Sequence, residues 1–568
     1  MPQEQQIFGL EPIKPIKGFP ELHWLGKQPY TSTQYFPAQL KERYGEEQDG
    51  WINKLYWGDN LQVMSHLIKE FRGKIDLIYI DPPFDEKADY KKKIEVRGRE
   101  IKSDSTSFEE KQYGDIWTND AYQQFMYERL ILMKELLSPK GSIYLHCDWH
   151  KSHYLRMLMD EVFGPDNFRN EIVWCYATGG ASKEFFGRKH DTILYYRNNQ
   201  KNYTFNPQLI KEKRTEKSLK RAQNQKGARI ALDNELKLPT DVWSDINALN
   251  PMEVEREDYP TQKPAALLEK ILLASTNQGD LVFDCFMGSG TTQAVAMKLG
   301  LRFIGADINL GAIQTATKRL LGIKKELDSS LESEDKKYTS FEVYNVNNYD
   351  FFRNPLEAQD LLIEALEIQK FDKNSIYDGE KDGRMVKIMP INRIASKADI
   401  SSFASMLPYK VFEKRKNGNP NEPVEKFSIV CMGHEPDLKA ELQKELANYK
   451  VDIEIVDILR DKSMLELKRE AEADVQCKGD KLIIKKFYPM NLMQKLSLDK
   501  KTVSDWKELV DSVMIDFNYA GAEMEPSVID IPGKNKFVKG EYDIPKDAGR
   551  IKVKITDLLS ESLEVILE

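Results

Sequence analysis

Two short stretches carry side chains whose types and spacing suit chemistry: Asp81-Pro82-Pro83-Phe84 and Phe286-Met287-Gly288-Ser289-Gly290-Thr291-Thr292. The first closes an apolar run, residues 75–80, that reads as a buried strand. It ends on a carboxylate followed by two residues with no backbone N–H. A plain strand-ending turn also accounts for that corner. The second stretch leaves another apolar run, residues 281–285, and leads into a helix-like segment. Glycines let a backbone turn tightly and approach a ligand, and a helix start offers unpaired N–H groups. A further strand ends on Asp307, nineteen residues after Gly288, where an acid can accept hydrogen bonds from ribose hydroxyls. A dinucleotide fingerprint would want a third glycine, but Gln293 stands in its place. The stretch reads as a nucleoside-binding turn, with NAD the weaker option and a tight strand–helix connection the bland one.

Two smaller pieces point the same way. Thr261, Lys263 and Pro264 precede an amphipathic run at 265–276. Proline suits a helix's first turn, and a hydroxyl with free N–H groups there can hold a carboxylate, although ordinary capping needs no ligand. Asp59-Asn60 follows the strand-like "KLYW", where the acid can accept an exocyclic amine or simply cap the next helix. His146, Asp148, His150 and His153 crowd together and invite a metal. Neither H-E-x-x-H nor a second ligand cluster accompanies them, so no metal is expected. Asp148 is expected as an N-cap.

The elements that must position these groups alternate short apolar runs with amphipathic stretches from about residue 51 to 322. That is the pattern of an α/β, doubly wound, mainly parallel sheet. Expected strands lie at 75–80, 142–146, 281–285 and 302–306, and expected helices at 122–137 and 265–276. Residues 1–50 read as a Pro-rich arm, about 175–258 as a basic, aromatic-rich insert, and 323–337 as a charged linker. Residues 338–568 read as a C-terminal α+β domain containing one β-α-β unit. A chain of 568 residues is long enough for two or three cores. Five scattered cysteines without C-x-x-C spacing suggest reduced thiols, and with no apolar stretch near membrane length a cytoplasmic protein is expected. Net charge is −8, yet residues 183–229 hold thirteen Lys/Arg against four Asp/Glu. Such a local basic surface is compatible with phosphate binding, or with a merely solvated face.

With "GDN", "DPPF", "TQKP" and "FMGSGTT" followed by Asp307 in this order, the chain resembles S-adenosylmethionine (SAM)-dependent DNA amino-methyltransferases. The arrangement is the beta one, with D-P-P-F ahead of F-x-G-x-G. The long form with a C-terminal extension looks most like modification subunits of Type III-like restriction systems. The resemblance covers roughly residues 54–320. It implies a Rossmann-like methyltransferase domain with an inserted target-recognition module. It further implies that Asp59, Asn60, Thr261, Lys263, Pro264, Asp284, Phe286, Gly288, Ser289, Gly290, Thr291 and Asp307 form the SAM pocket.

Under that resemblance the Asp81 corner has a purpose. An exocyclic base amine is a poor nucleophile because its lone pair is delocalised into the ring. Asp81 and the carbonyl of Pro82 can accept its two N–H bonds and stabilise the charge that develops. Prolines 82 and 83 fix the backbone, and Phe84 stacks on a base that has left the duplex. Asp in first place leans towards N6 of adenine, with N4 of cytosine the rival. Arg188, Lys189, Lys213, Arg214, Lys217, Lys220 and Arg221 are the expected DNA contacts. A second copy of the chain, or a helicase-nuclease restriction subunit, would be the protein partners. A recognition subunit active only with such a partner, and an NAD-linked oxidoreductase, are the readings from other classes.

Overall fold

The computed structural model describes residues 7–83, 93–96, 99–102, 119–176, 183–214, 236–249, 255, 262–329 and 338–346 of the first half and its surroundings. Beyond these it describes 363, 366, 368–371, 376–390, 395–419, 422–431, 438–457, 471–489, 505–521, 523–533, 536–558 and 562–567. The chain divides into two units, the first comprising 1–23, 28–87 and 125–346 and the second mainly 347–568.

The first unit is built on one ten-stranded sheet. In chain order its strands are β1 (Ala38–Tyr44), β2 (Asn53–Trp57), β3 (Ile75–Ile80), β4 (Leu137–Cys147) and β5 (Phe168–Cys175). They continue with β6 (His190–Arg197), β7 (Val242–Trp243), β8 (Leu281–Asp284), β9 (Arg302–Asp307) and β10 (Phe341–Val346). The spatial order is β7-β5-β6-β4-β3-β8-β9-β2-β10-β1. From β4 to β10 every neighbouring pair is parallel, so those C-terminal ends share one edge. Strands β3 and β8 are buried at every residue, as expected of a sheet covered on both faces. The helices between strands are α1 (Asn60–Phe71), α2 (Asn119–Leu136), α3 (Ser152–Phe163), α4 (Ala265–Ser275), α5 (Thr291–Lys298) and α6 (Leu310–Ser329). The expected strands and helices are all present, within a residue or two at most ends and with β4 starting five residues early.

Three boundaries read from the sequence are corrected. Residues 1–50 are not only an arm, because β1 pairs antiparallel with β10 at the sheet's edge. The charged linker at 323–337 begins as helix, since α6 continues to Ser329, and the sheet takes one more strand after it. That strand looks polar because it carries Glu342, which is 2% exposed and compensated by Arg43, Lys54 and the Tyr344 hydroxyl. The segment at 175–258 is not wholly an insert, because β6 and β7 are strands of the central sheet. Tyr195 and Tyr196 accordingly pack rather than face a ligand: Tyr195 stacks on Tyr144 at 4.4 Å, and the Tyr196 hydroxyl donates to Asp160 at 2.6 Å.

The second unit contains a five-stranded sheet in sequential order, in which Arg384–Ile388, Glu425–Cys431 and Val451–Asp457 run parallel. The helix Leu438–Glu445 completes the expected β-α-β unit. Phe403, Phe412 and Phe427 centre its core. A separate core joins a three-stranded and a four-stranded antiparallel sheet through Leu482, Phe487, Val513, Ile515 and Val553.

Candidate active site

The edge where the parallel strands end gathers the residues that the motifs singled out. Asp284 closes β8 and pairs with Gly305, while Asp307 closes β9 opposite Trp57. Asp81 follows Ile80, whose partner across β4 is Leu145. Brought together in this way are Asp81, Pro82, Pro83, Lys263, Asp284, Phe286, Gly288 and Asp307. Phe84 and Thr261 lie outside the described residues.

The glycine turn is held from below. Phe286 N–H donates to Asp284 Oδ1 at 3.0 Å, and the Thr292 hydroxyl donates to Oδ2 at 2.6 Å. Gly288 N–H donates to Asp307 Oδ2 at 2.9 Å, and Asn309 N–H to Oδ1 at 2.8 Å. Gly290, at φ +72°, starts α5; a Cβ there would stand 2.7 Å from that of Ala316, so no side chain fits. Ser289 and Thr291 exchange a hydroxyl bond at 3.2 Å, and Arg319 donates to Thr291 at 2.8 Å. Where a dinucleotide fold places its third glycine, the Gln293 side chain turns inward over Gly305, at which a Cβ would come within 2.8 Å of Nε2. The close helix–strand approach is therefore made with a glycine on β9.

Both acids hold one donor of the turn on each oxygen, and burial distinguishes Asp284. Asp284 is 2% exposed with both oxygens tied into the turn, and burial pushes its carboxyl up to about 7. Thr292, the Phe286 N–H and Lys263 oppose that rise, while Asp81 adds to it. Each oxygen of Asp307 holds one of the two N–H bonds above, so both acids brace the turn.

At the Asp81 corner the Lys263 ammonium bonds Asp81 Oδ2, both side chains being about one-sixth exposed. Asp81 Oδ1 is buried and has no hydrogen-bond partner among the described residues. A buried acceptor left open costs free energy unless a ligand fills it. Pro82 is buried beside it. Beneath, Tyr79 is held protonated by burial and by the negative charge of Asp81. Its hydroxyl shares a hydrogen bond with His146 Nδ1 at 2.9 Å, and His146 Nε2 lies 3.2 Å from Asp191.

The remaining histidine-rich residues do not converge. His146 is wholly buried, with Trp174 edge-on at 5.6 Å. Asp148 binds His150 through ring and backbone, and among the described residues no group of three or more His, Cys, Asp or Glu could hold a metal. Asp148 is not the cap of α3 either: Lys151 occupies that position, without a side-chain bond.

Asp59 caps α1 by accepting from Leu61 N–H at 2.9 Å. Its oxygens also accept from Arg129 Nη2 at 3.3 and 3.0 Å, in a pair under 10% exposed on either side. Arg129 Nε donates to Asn60 Oδ1 at 2.5 Å, and Asn60 Nδ2 donates to the Cys285 carbonyl at 3.2 Å. This arginine, stacked 3.4 Å over Phe125, ties the Asp59 corner to the glycine turn. Sequence reasoning missed it; the signal was a lone arginine at the head of the apolar run "RLILM" on α2.

The loop between β5 and β6 emerges at the same edge, because His190 pairs with Cys175 and Thr192 with Cys147. On it the Arg188 guanidinium stacks over Trp149 at 3.6 Å and lies 4.6 Å from the Phe185 ring. Phe186 beside them is 98% exposed. Lys189 pairs its carbonyl with Tyr176 N–H, and Arg214 donates to the Leu236 carbonyl at 3.2 Å next to Lys213 on a short two-stranded ribbon. Lys217, Lys220 and Arg221 lie outside the described residues.

Comparison with known proteins matches residues 75–318 to a family described as DNA methylase. The DNA adenine methyltransferase YhdJ of Escherichia coli is 30% identical over 279 residues, covering 49% of this chain and 84% of that protein. The chain belongs to the DNA methylase family. The Type II methyltransferase M.HpaI of Haemophilus parainfluenzae is also 30% identical, over 266 residues that cover 46% of this chain and 74% of that one. Among solved structures, a complex of M1.HpyAVI with SAM aligns at 21% identity, covering 47% of this chain and 98% of that one, with a TM-score of 0.31. The PvuII cytosine-N4-specific DNA methyltransferase aligns at 17% identity, covering 53% and 100%, with a TM-score of 0.33. No helix among the described residues is long and apolar enough to cross a membrane.

Proposed function

We propose that this chain transfers a methyl group from SAM to the exocyclic N6 of adenine in DNA, at the corner formed by Asp81 and Pro82. The observation that carries the reading is Asp81 Oδ1, a buried carboxylate oxygen without a partner, at the edge that also bears the glycine turn and Asp307. SAM supplies an electrophilic methyl on a sulfonium. Asp307 accepts the ribose hydroxyls, the turn at Phe286–Thr291 approaches the nucleoside, and the Asp59, Asn60 and Thr261–Pro264 segments close the pocket. Asp81 Oδ1 and the Pro82 carbonyl accept the two N–H bonds of the amine, drawing its lone pair out of the ring and stabilising the charge that develops. Phe84 stacks on the extruded base. The adenine preference is supported by the Asp that opens the motif and by the printed name of the Escherichia coli relative.

DNA approaches along the rim of Arg188, Lys189, Phe185 and Phe186, with Lys213, Arg214, Lys217, Lys220 and Arg221 neutralising phosphates. The order D-P-P-F, basic segment, F-x-G-x-G is the beta arrangement. The region after residue 346, outside the matched span, suits a Type III-like modification subunit that pairs with a second copy or a helicase-nuclease. The test is transfer of labelled methyl from SAM to mixed-sequence DNA by the purified chain alone. Label in DNA supports an autonomous enzyme; label only after a restriction partner is added favours an assembly subunit; none in either case refutes the reading.

A further inference from the structure

We infer that Lys263 is a positioning residue for methyl transfer: it holds Asp81 by one oxygen so that the other faces the amine of the target base. This rests on the reading of Asp81 as the amine acceptor and departs from the sequence-based placing of Lys263 in the SAM pocket. The two oxygens of Asp81 have different environments. Oδ2 is bonded by the Lys263 ammonium, whereas Oδ1 is buried and open. A carboxylate's terminal torsion is broad and nearly two-fold, so an unpinned Asp81 would present either oxygen over a range of angles. One fixed bond removes that freedom before the base arrives, and alignment of this kind is a large part of what a site contributes to rate.

Lys263 is itself well anchored. It immediately precedes Pro264, which starts α4, a helix with seven buried residues of its eleven. Ala265 N–H donates to Glu255 at 2.6 Å and Leu267 N–H to the Pro264 carbonyl at 3.1 Å, so the backbone directly after the lysine is held. The charge argument sharpens the assignment. An ammonium beside Asp81 cancels much of the field that a lone carboxylate would exert on a nitrogen becoming positive, so its benefit must come from geometry. The same ammonium opposes the rise of the neighbouring Asp284 carboxyl, which places it within electrostatic reach of both acids at this corner.

The test uses the full chain with Lys263→Met and Lys263→Arg, each checked for an unchanged thermal melt. Two quantities are read: SAM dissociation by calorimetry without DNA, and the single-turnover rate of labelled methyl transfer to mixed-sequence DNA at saturating SAM. The expected result for Lys263→Met is SAM affinity within a few-fold of wild type and a rate lowered roughly 100-fold. Lys263→Arg should recover part of that rate, because a guanidinium can hold a carboxylate oxygen. A Lys263→Met protein with unchanged rate at saturation, whether or not SAM binding weakens, overturns the inference. So does a rate loss that Lys263→Arg leaves as deep. A wild-type protein that labels no DNA at all would overturn the underlying reading, a failure recognisable before any variant is made.

Discussion

Asp59 and Asp81 both follow parallel strands of one mixed sheet, at the same edge, and both meet a basic side chain. They differ in what is left over. At Asp59 a helix N–H and a buried arginine engage both oxygens, and Asn60 fastens the same arginine to the glycine turn. At Asp81 a lysine takes one oxygen and the other remains buried without a partner. At the first corner both oxygens are engaged by the scaffold. The second has one vacancy of the kind an incoming N–H fills. Acid type and strand-end position are shared, and the open oxygen at Asp81 is what sets the two corners apart.

That contrast can be broken experimentally, beginning with the largest expected effect. Asp81→Ala should lower methyl transfer at least about 1,000-fold while the fold and SAM affinity persist, because it removes a contact that strengthens as the amine nitrogen becomes positive. Comparable turnover would erase the distinction between the two corners. Arg129→Met should act on stability instead, leaving a buried carboxylate unpaired at a cost of about 3–5 kcal/mol in denaturant unfolding. A loss below about 1 kcal/mol would mean that the Asp59 corner is not structural.

A third test concerns Asp284, which lies between the corners in kind. Its native carboxyl is raised by burial to about 7, above the value of about 4 of an unfolded chain. Between those values the folded protein keeps a proton that the unfolded chain has released, so this group's contribution to stability declines as pH rises from about 4 to 7. Asp284→Asn removes the titration. The melting temperature of the variant relative to wild type should therefore improve across that window, and parallel curves would contradict the assignment. The smallest effect is expected at the rim. Arg188→Ala should shallow the salt dependence of DNA affinity by about one counterion; an unchanged slope would place Arg188 away from phosphate.

Much of this site was legible before any coordinates. D-P-P-F, the glycine turn and Asp307 each sit at the end of an apolar run, and a parallel sheet carries such ends to one edge. What the sequence concealed were pairings between distant residues. Arg129 lies 70 positions from Asp59, and Lys263 lies 182 from Asp81; neither local pattern names its partner. Strand β10 was hidden for a related reason: Glu342 makes its run look solvated until Arg43 and Lys54 are seen to neutralise it. Tyr195 and Tyr196, aromatic residues in a basic segment, could stack on a base or pack as far as sequence goes. As neighbours on a strand they face opposite sides of the sheet and pack on both, Tyr195 against Tyr144 and Tyr196 against Asp160.

The account is tested most directly by the chemical identity of the modified base. Purified protein, SAM carrying a labelled methyl and mixed-sequence DNA are incubated, and the nucleosides are separated by mass spectrometry. The prediction is labelled N6-methyladenine from wild type and none from Asp81→Ala at equal SAM occupancy. Label on cytosine, or equal labelling by both proteins, would contradict it.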